Sequence, residues 1–342
     1  MGMVRRSSRS FAQTYQGAAV PLCATLLLAW CAFALEEKPP LELAAKVGLA
    51  EVHGRIDHLA ADIYQARLFV AALGDDSVQV LDVRNNALLS SIPGIPEPQG
   101  IAYLKAANRL FVTSAGDGSV RMFDASTFKL LTNLHLGMNA DNIRVDAAHD
   151  RVYIGYGEGA LAVLDISGKK LADIALKAHP ESFQVSEQAP RIFVNVPETQ
   201  SIVVIDSHSF QIIAEWPLSE AQDNFPMALD EANHRIFVAS RRPSRLLVLD
   251  MDSGRTLAHL PTVGDADDLF YDPIHSRVYV IGGQGRIAVY AQQAPDRYLM
   301  LDPVPTVAGA RTGLFVPEWN RLFVAVRDLG AHPAEIRVYQ PH

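Results

Sequence analysis

Two cysteines occur in 342 residues, Cys23 and Cys31, and none follows them. The chain beyond them has no disulfide, Cys nucleophile, thiolate zinc site, iron–sulfur cluster or Cys-x-x-Cys-His haem attachment, because each of these needs a sulfur. Stability past that point must come from a packed core. Long apolar runs are missing too. The longest, Ala18 to Phe33, is sixteen residues broken by Pro21, short of the ~20 that cross a bilayer as a helix. Basic charge is scarce: 30 Lys and Arg face 38 Asp and Glu, and Arg5, Arg6 and Arg9 are the only charges in the first 34 residues, so the remainder stands at 27 − 38 = −11. That balance opposes a nucleic-acid footprint. No Gly-x-Ser-x-Gly elbow, Walker loop or His-Glu-x-x-His occurs. Past residue 34 the tryptophans are Trp216 and Trp319, too few, without a disulfide, for the usual quinone-cofactor floor.

What the N-terminus does contain is three arginines, the apolar run, and Ala32-Phe33-Ala34 in small-x-small form, the pattern of a secretory signal peptide cleaved after Ala34. An uncleaved anchor is opposed by the short run. Lipid attachment at Cys31 is opposed by the bulky Trp30 before it, and a twin-arginine signal by the serines after Arg5-Arg6. The expectation is residues 1–34 as signal peptide and 35–342 as one domain, periplasmic or secreted, with no transmembrane anchor in the mature chain.

A repeat organises the rest. An Arg followed by aliphatic, aromatic and aliphatic residues recurs at Arg67, Arg109, Arg151, Arg191, Arg235, Arg277 and Arg321, at spacings of 42, 42, 40, 44, 42 and 44. After each anchor come a Gly-, Pro- or polar-rich loop and an alternating run. The first five runs end in Asp82, Asp124, Asp165, Asp206 and Asp250; the last two carry Ala291 and Gln340 instead. Period-2 alternation predicts half-buried strands, and the terminal Asp suits a turn whose N–H groups its carboxylate accepts. Two further strands per unit, one before each anchor and one after each turn, give four strands in 40 to 45 residues, the pattern of a propeller blade. The fold class is therefore all-β, a seven-bladed β-propeller. Its last blade lacks a strand, which Leu41 to Leu49 is expected to supply by pairing with Ile336 to Tyr339, removing the exposed edges.

Phe111-Val-Thr-Ser, Phe193-Val-Asn-Val and the Val-x-Val-x-Asp runs resemble the Tyr-Val-Thr-Asn (YVTN) repeats of exported and surface-layer bacterial propellers, over Leu41 to His342. The resemblance implies a seven-bladed propeller outside the cytoplasm. It leaves function open, since similar propellers include lactonases, lyases, quinoprotein subunits and binding scaffolds.

In such a ring, the loop entering each inner strand reaches the mouth of the central channel. Ten residues before the anchors stand Asp57, Gln99, Asp141, Glu181, Phe225, Asp267 and Arg311, followed by His58, Gly100, Asn142, Ser182, Pro226, Asp268 and Thr312. Four carboxylates facing one opening repel and call for a cation or a proton; as hard oxygen ligands, Asp57, Asp141, Glu181 and Asp267 suit Ca²⁺ or Mg²⁺. Each alone also reads as a solvated acid or a partner of Arg55 or Arg311. Two histidines approach the mouth, His58 and His179, as candidate general bases; His149, His234 and His275 precede anchors and belong to turns on the opposite face. Arg241, Arg242 and Arg245, with Arg311 and Arg327, form a basic sector able to hold a carboxylate or phosphate. The loop from Arg327 to Glu335 is the longest of its kind, a candidate lip. The functional expectation is a monomeric binding or scaffold propeller holding a small ligand, a cation or a protein partner at an acidic mouth. The alternative is a divalent-metal-dependent, lactonase-like hydrolase or lyase at the same mouth.

Overall fold

The computed structural model describes residues 38–330 and 332–342. The signal-peptide reading, with Cys23 and Cys31, lies outside them. Among the described residues no helix is long and apolar enough to cross a membrane.

Seven antiparallel sheets form the seven blades; in the first six the strands follow chain order from the inner to the outer edge, and in the seventh the outer strand comes from the start of the domain. The inner strands are Leu59–Asp62, Pro98–Leu104, Ile143–Asp146, Phe183–Val185, Gln222–Asp230, Ala266–Asp272 and Gly313–Val316. Each anchor Arg opens the second strand of its blade. The seventh blade closes as expected: Leu41–Gly48 pairs antiparallel with Glu335–Pro341, Leu41 opposite Pro341 and Gly48 opposite Glu335.

The core is not central. It is divided into seven apolar clusters, each built from neighbouring blades. The alternating runs expected to be half-buried are consequently buried on both faces: in Ser77–Asp82 every residue before Asp82 is buried, Gln79 included. Two neighbouring blades sandwich the strand, so the small or polar member of each alternation is covered as well. Outer strands, with one edge free, alternate between exposed and half-buried positions.

The five terminal aspartates do what their position implies. Asp82 accepts the N–H groups of Arg84 and Asn85, Asp124 those of Ser126 and Thr127, Asp206 those of His208 and Ser209. Asp165 and Asp250 cap their turns in the same way. These bonds favour the charged carboxylate and hold all five below the usual carboxylate range. Where the Asp is missing the turn changes. The blade-six strand Arg286–Ala294 runs on for nine residues and pairs with both Arg297–Met300 and Val304–Pro305, while Gln340 accepts a bond from Arg321.

The anchor arginine has a tertiary purpose that the repeat conceals. Arg67 donates to the Ala125 carbonyl at 2.6 Å, Arg151 to that of Ser207 at 2.5 Å and Arg191 to that of Met251 at 3.1 Å. In each case the acceptor is the residue after the terminal Asp of the following blade. Arg277 reaches the Pro40 carbonyl, at the start of the closing strand. In four of the seven units the anchor arginine thus latches a blade to its neighbour.

Candidate binding site at the channel mouth

The ring position lies at the start of each inner strand, where backbone bonds hold it. Asp57, Asp141 and Glu181 donate their N–H groups to Ala71, Gly155 and Asn195 of the adjoining strand at 2.8 to 2.9 Å. At Gly100 a Cβ would lie 2.1 Å from the Asp141 carbonyl oxygen, so glycine is what lets blades two and three approach here.

The mouth is not the acidic cup expected from the alignment. Arg55 grips both oxygens of the buried Asp57 at 3.1 and 3.2 Å and stands 4.0 Å from Asp267. Arg241 reaches from blade five to Asp267 at 2.6 Å and stacks over the Phe225 ring at 3.8 Å. Arg311 lies 2.8 Å from Asp267 and donates to Asp265 at 3.0 Å. Three guanidiniums therefore meet three carboxylates, Asp57, Asp265 and Asp267, and the charges cancel. With its amide turned so that the nitrogen faces the carboxylate, Gln99 donates to both Asp141 oxygens at 2.8 and 2.9 Å, and His179 lies 3.9 Å from Asp141 with its Nδ1 2.6 Å from the Gly157 carbonyl oxygen.

Among the described residues no group of three or more His, Cys, Asp or Glu side chains can hold a metal ion. Of the four carboxylates expected to share a cation, Asp57, Asp141, Glu181 and Asp267, arginines from three blades hold Asp57 and Asp267. In the basic sector Arg241 and Arg311 are engaged by Asp265 and Asp267, and two more of its guanidiniums meet neighbouring acids. Arg242 pairs with Asp223, away from the ring, and Arg245 lies 3.8 Å from Glu220. The long loop is tied back, Leu49 donating to the Ala334 carbonyl and His53 meeting Asp328 at 3.0 Å. The turn histidines behave as such, His149 against Asp146 and His275 against Asp272.

Electrostatics divide the remaining groups by role. Burial, reinforced by Asp141, pushes Glu181 up to about 8, so it is chiefly protonated at neutral pH and able to donate a hydrogen bond. A carboxyl raised in the fold contributes stability that is complete below its ordinary 4.5 and is lost as pH climbs through about 8. Asp267 is also raised by burial, to about 6 against the opposing pull of Arg311, and is charged at neutral pH. Burial disfavours the charged ring of His58, but Asp268 at 3.6 Å outweighs it and holds the imidazolium up to about 10. Asp268 also accepts the Gly313 N–H at 2.8 Å. His58 is thus an ion-pair partner beneath the ring, too basic to serve as a general base near neutrality.

Below the ring a cavity of about 350 Å³ continues into the channel, lined by inner-strand residues of six blades. Arg144, Gln184 and Phe270 line it beside His58 and Asp268. The ring alignment missed Arg144 and Gln184. Seven residues before the anchors the sequence reads Ala60, Ala102, Arg144, Gln184, Ala228, Phe270 and Leu314, so one charge in an otherwise uncharged column was the available signal.

No protein-family model matches the chain, and no curated protein does. Solved structures do. A chain from Kuenenia stuttgartiensis hydrazine synthase is 15% identical with a TM-score of 0.72, over 84% of this chain and 97% of that one. A chain from a crystal structure of a mitotic checkpoint complex is 10% identical with a TM-score of 0.76, over 99% of this chain and 100% of that one. At such identities the likeness is one of fold alone, and the seven-bladed propeller is what they share.

Neutralising Asp267 tests the balanced mouth. Asp267→Asn removes the carboxylate that Arg241 and Arg311 share and leaves both to Asp265, so it is expected to destabilise by about 1–3 kcal/mol, with no response of the parent melting temperature to Ca²⁺, Mg²⁺ or Mn²⁺. A solvated or metal-binding ring gives the opposite signs: a variant as stable as the parent, or a cation-dependent rise in the parent.

Proposed function

We propose that this chain is an exported binding propeller of the YVTN type that takes a small polar ligand through the channel mouth into the cavity beneath. The observation that carries the reading is the 350 Å³ cavity itself, concave, central and lined by a few polar groups among apolar ones, the usual character of a small-molecule site. The balanced ring above it supports the same reading. Its paired arginines and aspartates are rigid, and neutral overall they exclude no charge class. The export half of the proposal rests on the Ala32-Phe33-Ala34 leader. A metal-dependent hydrolase lacks support in the side-chain geometry, since no ligand cluster forms among the described residues.

The test is a melting-temperature screen of the mature protein against small carboxylates, amines, sugars and nucleotides, repeated with Ala102→Phe. Ala102 lines the cavity and is buried, so an added ring fills the space. At least one class should raise the melting temperature saturably in the parent and lose that effect in the filled variant. A response that Ala102→Phe leaves intact would move the site elsewhere, and a parent indifferent to every class would end the small-ligand reading.

A further inference from the structure

Arg144 is the one side chain in the cavity whose charge the fold leaves uncompensated. It stands mid-strand on the inner strand of blade three, in a column otherwise without charge. Its Nη1 donates to the Ile143 carbonyl at 2.7 Å, its Nη2 makes a long 3.4 Å contact to the Ser182 hydroxyl, and the guanidinium lies 5.6 Å from the Phe183 ring. No carboxylate comes within 4.0 Å of it among the described residues, whereas Arg55, Arg241 and Arg311 at the mouth all have one. Burial lowers its pKa, and the more distant Asp268 and Asp141 only partly offset that. The sole carboxylate lining the cavity, Asp268, is taken by His58 and the Gly313 N–H.

The side chain is half-buried in the cavity with no counter-ion beside it, and its unused N–H donors form a planar fork matched to a carboxylate. The cavity's charged lining sums to one net positive charge: Arg144 and the His58 imidazolium against Asp268. Its volume of about 350 Å³ lies at the small end of ligand sites. We infer that the central cavity is a site for a small organic monoanion, a carboxylate, held by the Arg144 fork. This rests on the small-ligand reading above and names the chemical class that the site takes.

The test uses formate and acetate as probes, with inorganic phosphate and ammonium as comparisons, on the mature protein in a buffer free of competing carboxylate. Formate or acetate should raise the melting temperature saturably and more than phosphate does, because one net positive charge is balanced by a monoanion. Arg144→Gln should weaken the response at least tenfold. Arg144→Lys, which keeps the charge but loses the fork, should fall between. Without anion, Arg144→Gln should melt no lower than the parent, since it removes an unpaired, half-buried charge; a merely structural arginine would make it melt lower under every condition. Should Arg144→Gln fail to fold, the lysine variant and the anion ranking still decide the matter. A parent that ignores both carboxylates, or an unchanged response in both variants, overturns the inference. If another ligand class then stabilises the parent and Ala102→Phe abolishes that effect, the small-ligand reading survives without the anion; if none does, both fall.

Discussion

Deleting Leu41–Gly48 will unfasten the ring. The segment supplies the outer strand of blade seven through seven residue pairs with Glu335–Pro341, and it joins two cores. Leu41 packs in the cluster between blades six and seven, Val47 in the cluster between blades seven and one. Full burial of such side chains is worth ~1.5–3 kcal/mol each. The deletion also uncovers the edge of Glu335–Pro341, a template for intermolecular pairing. The expected result is a fall in melting temperature of more than ~10 °C, with aggregates by gel filtration. A synthetic peptide spanning residues 38–50, added in trans, should recover part of the loss. A truncated protein that melts like the parent and stays monodisperse would refute the closure, since nothing else in the blade replaces that strand.

The second large effect is expected at the first anchor. Arg67 is 7% exposed and Asp62 fully buried, and they pair through Nε at 3.1 Å and Nη2 at 2.7 Å while Nη1 holds the Ala125 carbonyl of the next blade. Removing one partner of a buried pair costs about 3–5 kcal/mol, most of it the penalty of the stranded charge. Arg67→Leu should therefore lower the melting temperature by on the order of 5–8 °C in a domain of this size. Arg67→Leu with Asp62→Asn should regain part of it, because the neutral amide no longer leaves a buried anion. The remainder measures the latch to Ala125 and the packing over Phe69 and Phe128. Equal loss in the single and double variants would mean that the charge pair contributes nothing and packing carries the whole effect.

The two halves of the molecule differ in how far they could be read in advance. Blade number, strand order and turn capping follow from local chemistry: an alternating strand, a terminal Asp bonding to N–H groups two to four residues on, and an interval of 40 to 44 residues all lie within one repeat unit. The closing strand was legible by subtraction, because a ring of four-stranded blades has no place for a three-stranded one. The location of the mouth was legible too, since aligning anchors aligns space in a repeat protein.

Its electrostatics were not. Arg55 meets Asp57 from two residues away, Arg241 crosses from blade five to blade six and Arg311 from blade seven to blade six. Whether four carboxylates make a cation site or a balanced network depends on side chains separated by tens of residues, and an alignment column holds no distance between them. The same holds for His58, a candidate base by position and an imidazolium beside Asp268 by contact. For Arg144 the sequence determined only that a charge stands alone in an uncharged column. The tertiary structure decided that no carboxylate among the described residues comes within 4.0 Å of it and that it lines a cavity, because compensation of a partly buried charge is a property of neighbours in space.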